Sequence, residues 1–130
     1  MNGVEWIVDA QGCSAESLRN VELLRALFQR IISDLSLRAV GDILWHQFPG
    51  TDGITGLCLL SESHLACHTF PEYESLSLNL FCCAPRPEWD FKTELANMFS
   101  ATSVHVRTLE REYGPVSAVR STAQVQGSWK

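Results

Sequence analysis

Between Glu74 and Cys82 the chain alternates well. Leu76, Leu78 and Leu80 fall on one side and Ser75, Ser77 and Asn79 on the other, which is the period of a strand with one buried face. A strand of this kind needs partners along its edges and a cover over its apolar side. The rest of the sequence supplies both. Val4 to Ala10 is short, apolar and β-prone and ends at Gly12. Ser14 is an N-cap candidate, and Leu18, Val21, Leu24, Phe28, Ile31, Ile32 and Leu35 recur at helical spacing, so one amphipathic helix is expected there. Leu37 to Phe48 reads as a second strand, Pro49 to Gly53 as a turn, Ile54 to Leu60 as a third strand and His64 to Thr69 as a fourth. A second helix is expected over Glu88 to Ser100, introduced by Pro85 and Pro87, with a last strand over Thr102 to Leu109.

The expected fold class is therefore α+β, a two-layer sandwich of a mostly antiparallel sheet with two helices on one face. At 130 residues, 45% of them hydrophobic, the chain supports one core. Residues 1–113 are expected to form that single domain. Residues 114–130, with Gly114, Pro115 and several Ser, Thr and Gln, are expected as a loose tail.

A net charge of −5 and the lack of any Lys or Arg run argue against a nucleic-acid partner. No apolar stretch reaches bilayer length and the N-terminus lacks a signal-peptide pattern, so a cytoplasmic protein without a membrane partner is expected. Cys13, Cys58, Cys67, Cys82 and Cys83 form an odd set without framework spacing, read as thiols in a reducing compartment. No metal site is expected, because neither a C-x-x-C pair nor two-plus-two spacing occurs.

The chemistry concentrates in SESHLACHTFPE, Ser61 to Glu72, followed by Cys82-Cys83. Taken alone, Ser63 and His68 fit a hydroxyl nucleophile with a proton-shuttling imidazole, and equally fit ordinary polar strand residues. The longer segment TDGITGLCLLSESHLACHTFPEYESLSLNLFCC resembles the core of the prokaryotic S-adenosylmethionine decarboxylase proenzymes. There the pattern runs as a GVSG turn, an apolar strand, ESHLTIHTWPE, and an alternating strand ending in a cysteine. The resemblance is strong over Gly53 to Cys83 and looser on either side.

That resemblance implies a pyruvoyl-dependent decarboxylase that makes its own cofactor by breaking the backbone between Glu62 and Ser63. Ser63 becomes the pyruvoyl group, whose carbonyl joins the substrate amine as a Schiff base and serves as electron sink. By the same resemblance His68 moves a proton during processing and Cys83 returns one during decarboxylation. Thr55, in Gly53-Ile54-Thr55-Gly56, stands at the family's processing serine, keeping the hydroxyl and adding a methyl group. The hydroxyl of Ser61 or Thr55 is a candidate donor to the oxyanion at the Glu62 carbonyl. Glu72 is a candidate for ribose hydroxyls or a substrate cation, and Phe48 and Phe70 for stacking on a sulfonium or adenine. Cys82, Cys58 and Cys67 are read as packing residues, and His46 and His64 receive no role. A homodimer whose sites draw on both subunits is implied, as is the same two-layer architecture.

The chain departs from the family pattern in its first strand, where Glu5 to Cys13 keeps the cysteine and lacks two aromatic residues before it, and in a turn one residue longer before Gly53. These changes touch substrate recognition. The leading expectation is decarboxylation of S-adenosylmethionine, supplying the aminopropyl donor for spermidine synthesis. One alternative is a pyruvoyl-dependent decarboxylase of the same fold acting on ornithine or arginine. The other is an unprocessed homologue that binds or regulates.

Overall fold

The computed structural model describes residues 2–115. Its order is β1 (Asn2–Gln11), α1 (Ala15–Leu18), α2 (Val21–Asp34), β2 (Leu44–Gln47), β3 (Ile54–Leu60), β4 (Ser63–Phe70), a 3-10 turn (Pro71–Tyr73), β5 (Ser75–Cys82), α3 (Phe91–Phe99) and β6 (Ser103–Glu112). The strands form one sheet in the order β2-β3-β4-β5-β1-β6, and every pairing is antiparallel. The architecture is the expected α+β two-layer sandwich.

Alternation sets which side of each strand is covered. Trp6 and Val8 of β1, Leu65 and Cys67 of β4, and Leu76, Leu78 and Leu80 of β5 are buried in one cluster with Leu24, Leu27, Phe28 and Ile31 of α2 and Phe91, Leu95 and Phe99 of α3. The opposite side carries Glu5, Ile7, Asp9, His64, Ala66, His68, Ser77, Asn79 and Phe81, none fully buried. One face of the sheet is therefore covered by helices and the other is open among the described residues.

Three expectations are corrected. The long first helix is two helices, because the Asn20 side chain accepts from the Leu23 N–H at 3.1 Å and starts α2 afresh after a break at Arg19 and Asn20. The strand expected over Leu37 to Phe48 shrinks to Leu44–Gln47, preceded by a single bridge between Ala39 and Leu60; Gly41 has φ +76° and interrupts the extended run. The helix expected from Glu88 begins only at Phe91, since Asp90 caps it and Trp89 instead turns inward to donate to Asp34 at 2.8 Å. Of the expected tail, Gly114 and Pro115 are described, and residues 116–130 lie outside the described residues.

One buried polar residue ties the layers together. The Thr69 hydroxyl donates to the Leu18 carbonyl at 2.7 Å and accepts from the Ile54 N–H at 2.9 Å. It pins the end of α1 to β4 and to the start of β3, where the GITG segment lies.

Candidate active site

The hairpin between β3 and β4 has a two-residue loop, Ser61 and Glu62, closed by the Leu60–Ser63 pair. Glu62 is left-handed, with φ +64°. That conformation costs a non-glycine residue on the order of 1 kcal/mol, and it falls directly before Ser63, where the family resemblance implies cleavage. On its other side Ser63 faces Cys82 across β5.

Cys82 is fully buried. Burial pushes its thiol above the ordinary range and neighbouring Cys83 adds to this, while the Arg86 guanidinium and the Ser63 hydroxyl pull the other way. Cys83 follows the strand end and is half-buried, and its carbonyl accepts from the Tyr113 hydroxyl. Gly3 of β1 is needed here, because a Cβ would stand 2.5 Å from the Cys82 carbonyl oxygen. The two thiols are thus separated by strand alternation, with Cys82 on the helix side, as expected.

At the other end of the same strands, Thr55 faces His68 in register, and the Thr55 hydroxyl lies 3.1 Å from His68 Nδ1. A cleft of about 310 Å³ opens beside them, lined by Phe48, Thr55, His68, Phe70 and Glu72 among others. Both aromatic rings are exposed, Phe48 at 45% and Phe70 at 39%. The glycines of the GITG segment have steric reasons: a Cβ on Gly53 would stand 2.7 Å from the Thr69 carbonyl oxygen, and one on Gly56 would meet the Trp45 ring.

The candidate residues therefore form two groups. Ser63, Glu62, Cys82 and Cys83 gather at the hairpin end; Thr55, His68, Glu72, Phe48 and Phe70 gather at the cleft. Five steps along the strand take Ser63 to His68, about 16 Å at the usual rise, and an odd number of steps sends their side chains to opposite faces. A direct Ser63–His68 pair is thus absent within one protomer, and the Thr55 hydroxyl is equally remote from the Glu62 carbonyl. Ser61 remains beside that bond, with its own N–H donating to the Arg38 carbonyl at 2.8 Å. His46 packs edge-on against Phe48 at 4.6 Å.

The family model described as "S-adenosylmethionine decarboxylase" matches residues 4–112. The chain belongs to the S-adenosylmethionine decarboxylase family. Members of this family are pyruvoyl-dependent carboxy-lyases. The S-adenosylmethionine decarboxylase proenzyme of Shouchella clausii is 32% identical over 118 residues, covering 88% of each chain. The proenzyme 2 of Halalkalibacterium halodurans is 28% identical, covering 95% of this chain and 96% of its own. The crystal structure of the adenosylmethionine decarboxylase from Aquifex aeolicus shares the fold, with a TM-score of 0.71 at 21% identity over 89% of this chain and 95% of that one.

Sequence reasoning missed one group. His64 stacks on Phe81, with ring centroids 5.6 Å apart and planes 14° apart. Its Nε2 lies 3.3 Å from Asn79 Nδ2, which also donates to Glu5 at 2.9 Å. The only available signal was the shared alternation of His64, Asn79, Phe81 and Glu5 on one sheet face.

Proposed function

We propose that this chain is a cytoplasmic proenzyme that cleaves itself between Glu62 and Ser63, converts Ser63 to a pyruvoyl group, and decarboxylates S-adenosylmethionine as a homodimer, supplying the aminopropyl donor for spermidine synthesis. The observation that carries the reading is the left-handed Glu62 directly before Ser63 in a closed two-residue hairpin. A conformation held against its own preference by strand pairing on both sides favours a backbone rearrangement that releases it.

The Ser63 oxygen attacks the Glu62 carbonyl carbon, the C–N bond breaks, and the freed amine takes a proton. Elimination across the Ser63 side chain then releases the Glu62 carboxylate, and water converts the remaining enamine to the pyruvoyl group with loss of ammonia. His68 serves as proton source, with the Thr55 hydroxyl bonded to its Nδ1 as partner. The pyruvoyl group, once formed, supplies the electron sink that lets carbon dioxide leave. Cys83 stands at the same sheet end as Ser63 and returns a proton to the substrate carbon. Glu72, Phe48 and Phe70 bind the adenosyl part, offering a carboxylate to ribose hydroxyls and aromatic faces to the base and sulfonium.

The separation of the two residue groups supports a shared site. A second copy packed open face to open face about a two-fold axis running across the strands brings the cleft end of one protomer over the hairpin end of the other. The open face carries apolar residues suited to such cover, including Leu57 at 47%, Leu59 at 59% and Leu109 at 42% exposure. The intact Thr55–His68 bond favours the processing reading over an unprocessed homologue, and the two aromatics that line the cleft with Glu72 favour an adenosyl substrate over ornithine or arginine.

Intact mass of freshly purified protein tests the proposal, with Ser63→Ala as reference. Two fragments split before Ser63, the C-terminal one blocked by a pyruvoyl group, are expected. A single uncleaved mass matching the reference would refute it. Release of carbon dioxide from S-adenosylmethionine and not from ornithine or arginine completes the test.

A further inference from the structure

The residue that follows Ser63 sits in a closed ring of side-chain contacts on the open face. His64 stacks on Phe81 at 5.6 Å. The Arg111 guanidinium lies over the same Phe81 ring, 5.8 Å from its centroid, and pairs with Glu5. Glu5 accepts from Asn79 Nδ2 at 2.9 Å, and Asn79 Nδ2 reaches His64 Nε2 at 3.3 Å. The Glu5 carboxylate can only accept, so it fixes which end of the Asn79 amide faces it; His64 Nε2 must then accept in turn, which leaves the imidazole proton on Nδ1. Four side chains from β1, β5 and β6 thereby hold the His64 imidazole by its face and by one nitrogen.

The position of this ring gives it a use. Resting on the proposed cleavage before Ser63, the chain end created there carries the pyruvoyl group on the backbone nitrogen of His64. A new strand end loses the covalent turn that kept it paired, and terminal residues fray unless tied down. We infer that the ring formed by His64, Phe81, Arg111, Glu5 and Asn79 is a clamp that keeps the cut end of β4 in register, and that His64 is a positioning residue holding the pyruvoyl group beside Cys83. Ordering of a reacting group to within an ångström is worth large rate factors, and the ring supplies it at the one residue that cleavage would otherwise release.

The inference makes the contribution of His64 appear only after cleavage. Hydrogen exchange of the segment beginning at His64 is compared between the cleaved wild-type protein and the uncleaved Ser63→Ala chain. Protection of the first residues of β4 is expected to agree within about threefold, whereas a hundredfold acceleration on cleavage would show a frayed end and overturn the clamp. In His64→Ala the same segment is expected to exchange at least tenfold faster once cleaved, and to match the reference in the His64→Ala, Ser63→Ala double variant. In decarboxylation His64→Ala is expected to lose at least tenfold in kcat per pyruvoyl group with KM within threefold, and His64→Phe, which keeps a ring on Phe81, to recover most of the loss. Equal losses in the Ala and Phe variants, or none in either, would overturn the clamp. Should His64→Ala fold poorly, Phe81→Leu against Phe81→Tyr removes the same stack from its other side and is held to the same limits. An uncleaved wild-type mass would overturn the self-cleavage reading and the clamp with it; a cleaved mass with a frayed end overturns the clamp alone.

Discussion

The Thr55 hydroxyl lies 3.1 Å from His68 Nδ1 across the β3–β4 ladder. The extra methyl of threonine, relative to the family's serine, leaves that bond in place. Thr55→Val keeps the shape and deletes the hydroxyl, so self-cleavage is expected to slow by about 10²-fold, the usual loss for one proton-transfer or oxyanion partner. Thr55→Ser is expected to cleave at least as fast as the wild type. The time course of intact mass reads both, and a Thr55→Val chain that matures at the normal rate would remove Thr55 from the chemistry.

If each site takes Ser63 from one protomer and His68 from the other, two inactive chains can repair one another. Co-expression of His68→Ala with Ser63→Ala is expected to yield cleavage of the His68→Ala chain alone, since only that chain keeps Ser63 and meets an intact His68 on its partner. Each variant by itself stays whole. Failure of the mixture to cleave, with mixed dimers present by native mass, contradicts a shared site.

Thr69 is a buried polar residue with two partners, the Leu18 carbonyl and the Ile54 N–H. Thr69→Val preserves volume and leaves both groups without their bond in a dry setting, which costs about 1–3 kcal/mol for each unsatisfied group. A lowered urea midpoint with an unchanged slope is expected. Thr69→Ser, which keeps the hydroxyl, is expected to lose less.

Burial pushes the Cys67 thiol up to about 12 and the Cys13 thiol, with the Glu74 carboxylate adding to the effect, up to about 11. Both values lie above the ordinary 9.0 of the unfolded chain. A group whose folded pKa is raised holds its stabilising contribution below the unfolded value and loses it as pH climbs through the folded one. The urea midpoint is therefore expected to hold through pH 8 and to fall between about pH 9 and 12, and Cys67→Ala is expected to flatten part of that fall. Alkylation at neutral pH checks the same picture, with half-buried Cys83 reacting before fully buried Cys67.

Most of the sheet was legible because its strands obey one rule: β5 alternates from Ser75 to Leu80, and β3 and β4 sit between turn residues. The break at Arg19 and Asn20 escaped because the apolar spacing of Leu18, Val21 and Leu24 runs through it, although Asn20 is a capping residue. The strand over Leu37 to Phe48 was overextended because Leu37 and Ile43 are apolar for packing on the core rather than for ladder pairing. At the site, the motif supplied the residue names and the alternation rule already implied that an odd step between Ser63 and His68 divides them between faces. The His64 ring was out of reach, since Asn79 and Glu5 are 74 residues apart and Arg111 and Glu5 are 106 apart; such contacts exist only once the strand order is known.

That strand order also governs what happens to two fragments cut before Ser63. The N-terminal piece carries β1, β2 and β3 and the C-terminal piece β4, β5 and β6, yet β1 lies between β5 and β6 in the sheet. The pieces are interleaved like clasped fingers, so dissociation requires β1 to be withdrawn from two ladders at once. Scission thus changes the number of chains without changing the number of cooperative units, and the matured protein is expected to melt in a single transition with both fragments released together.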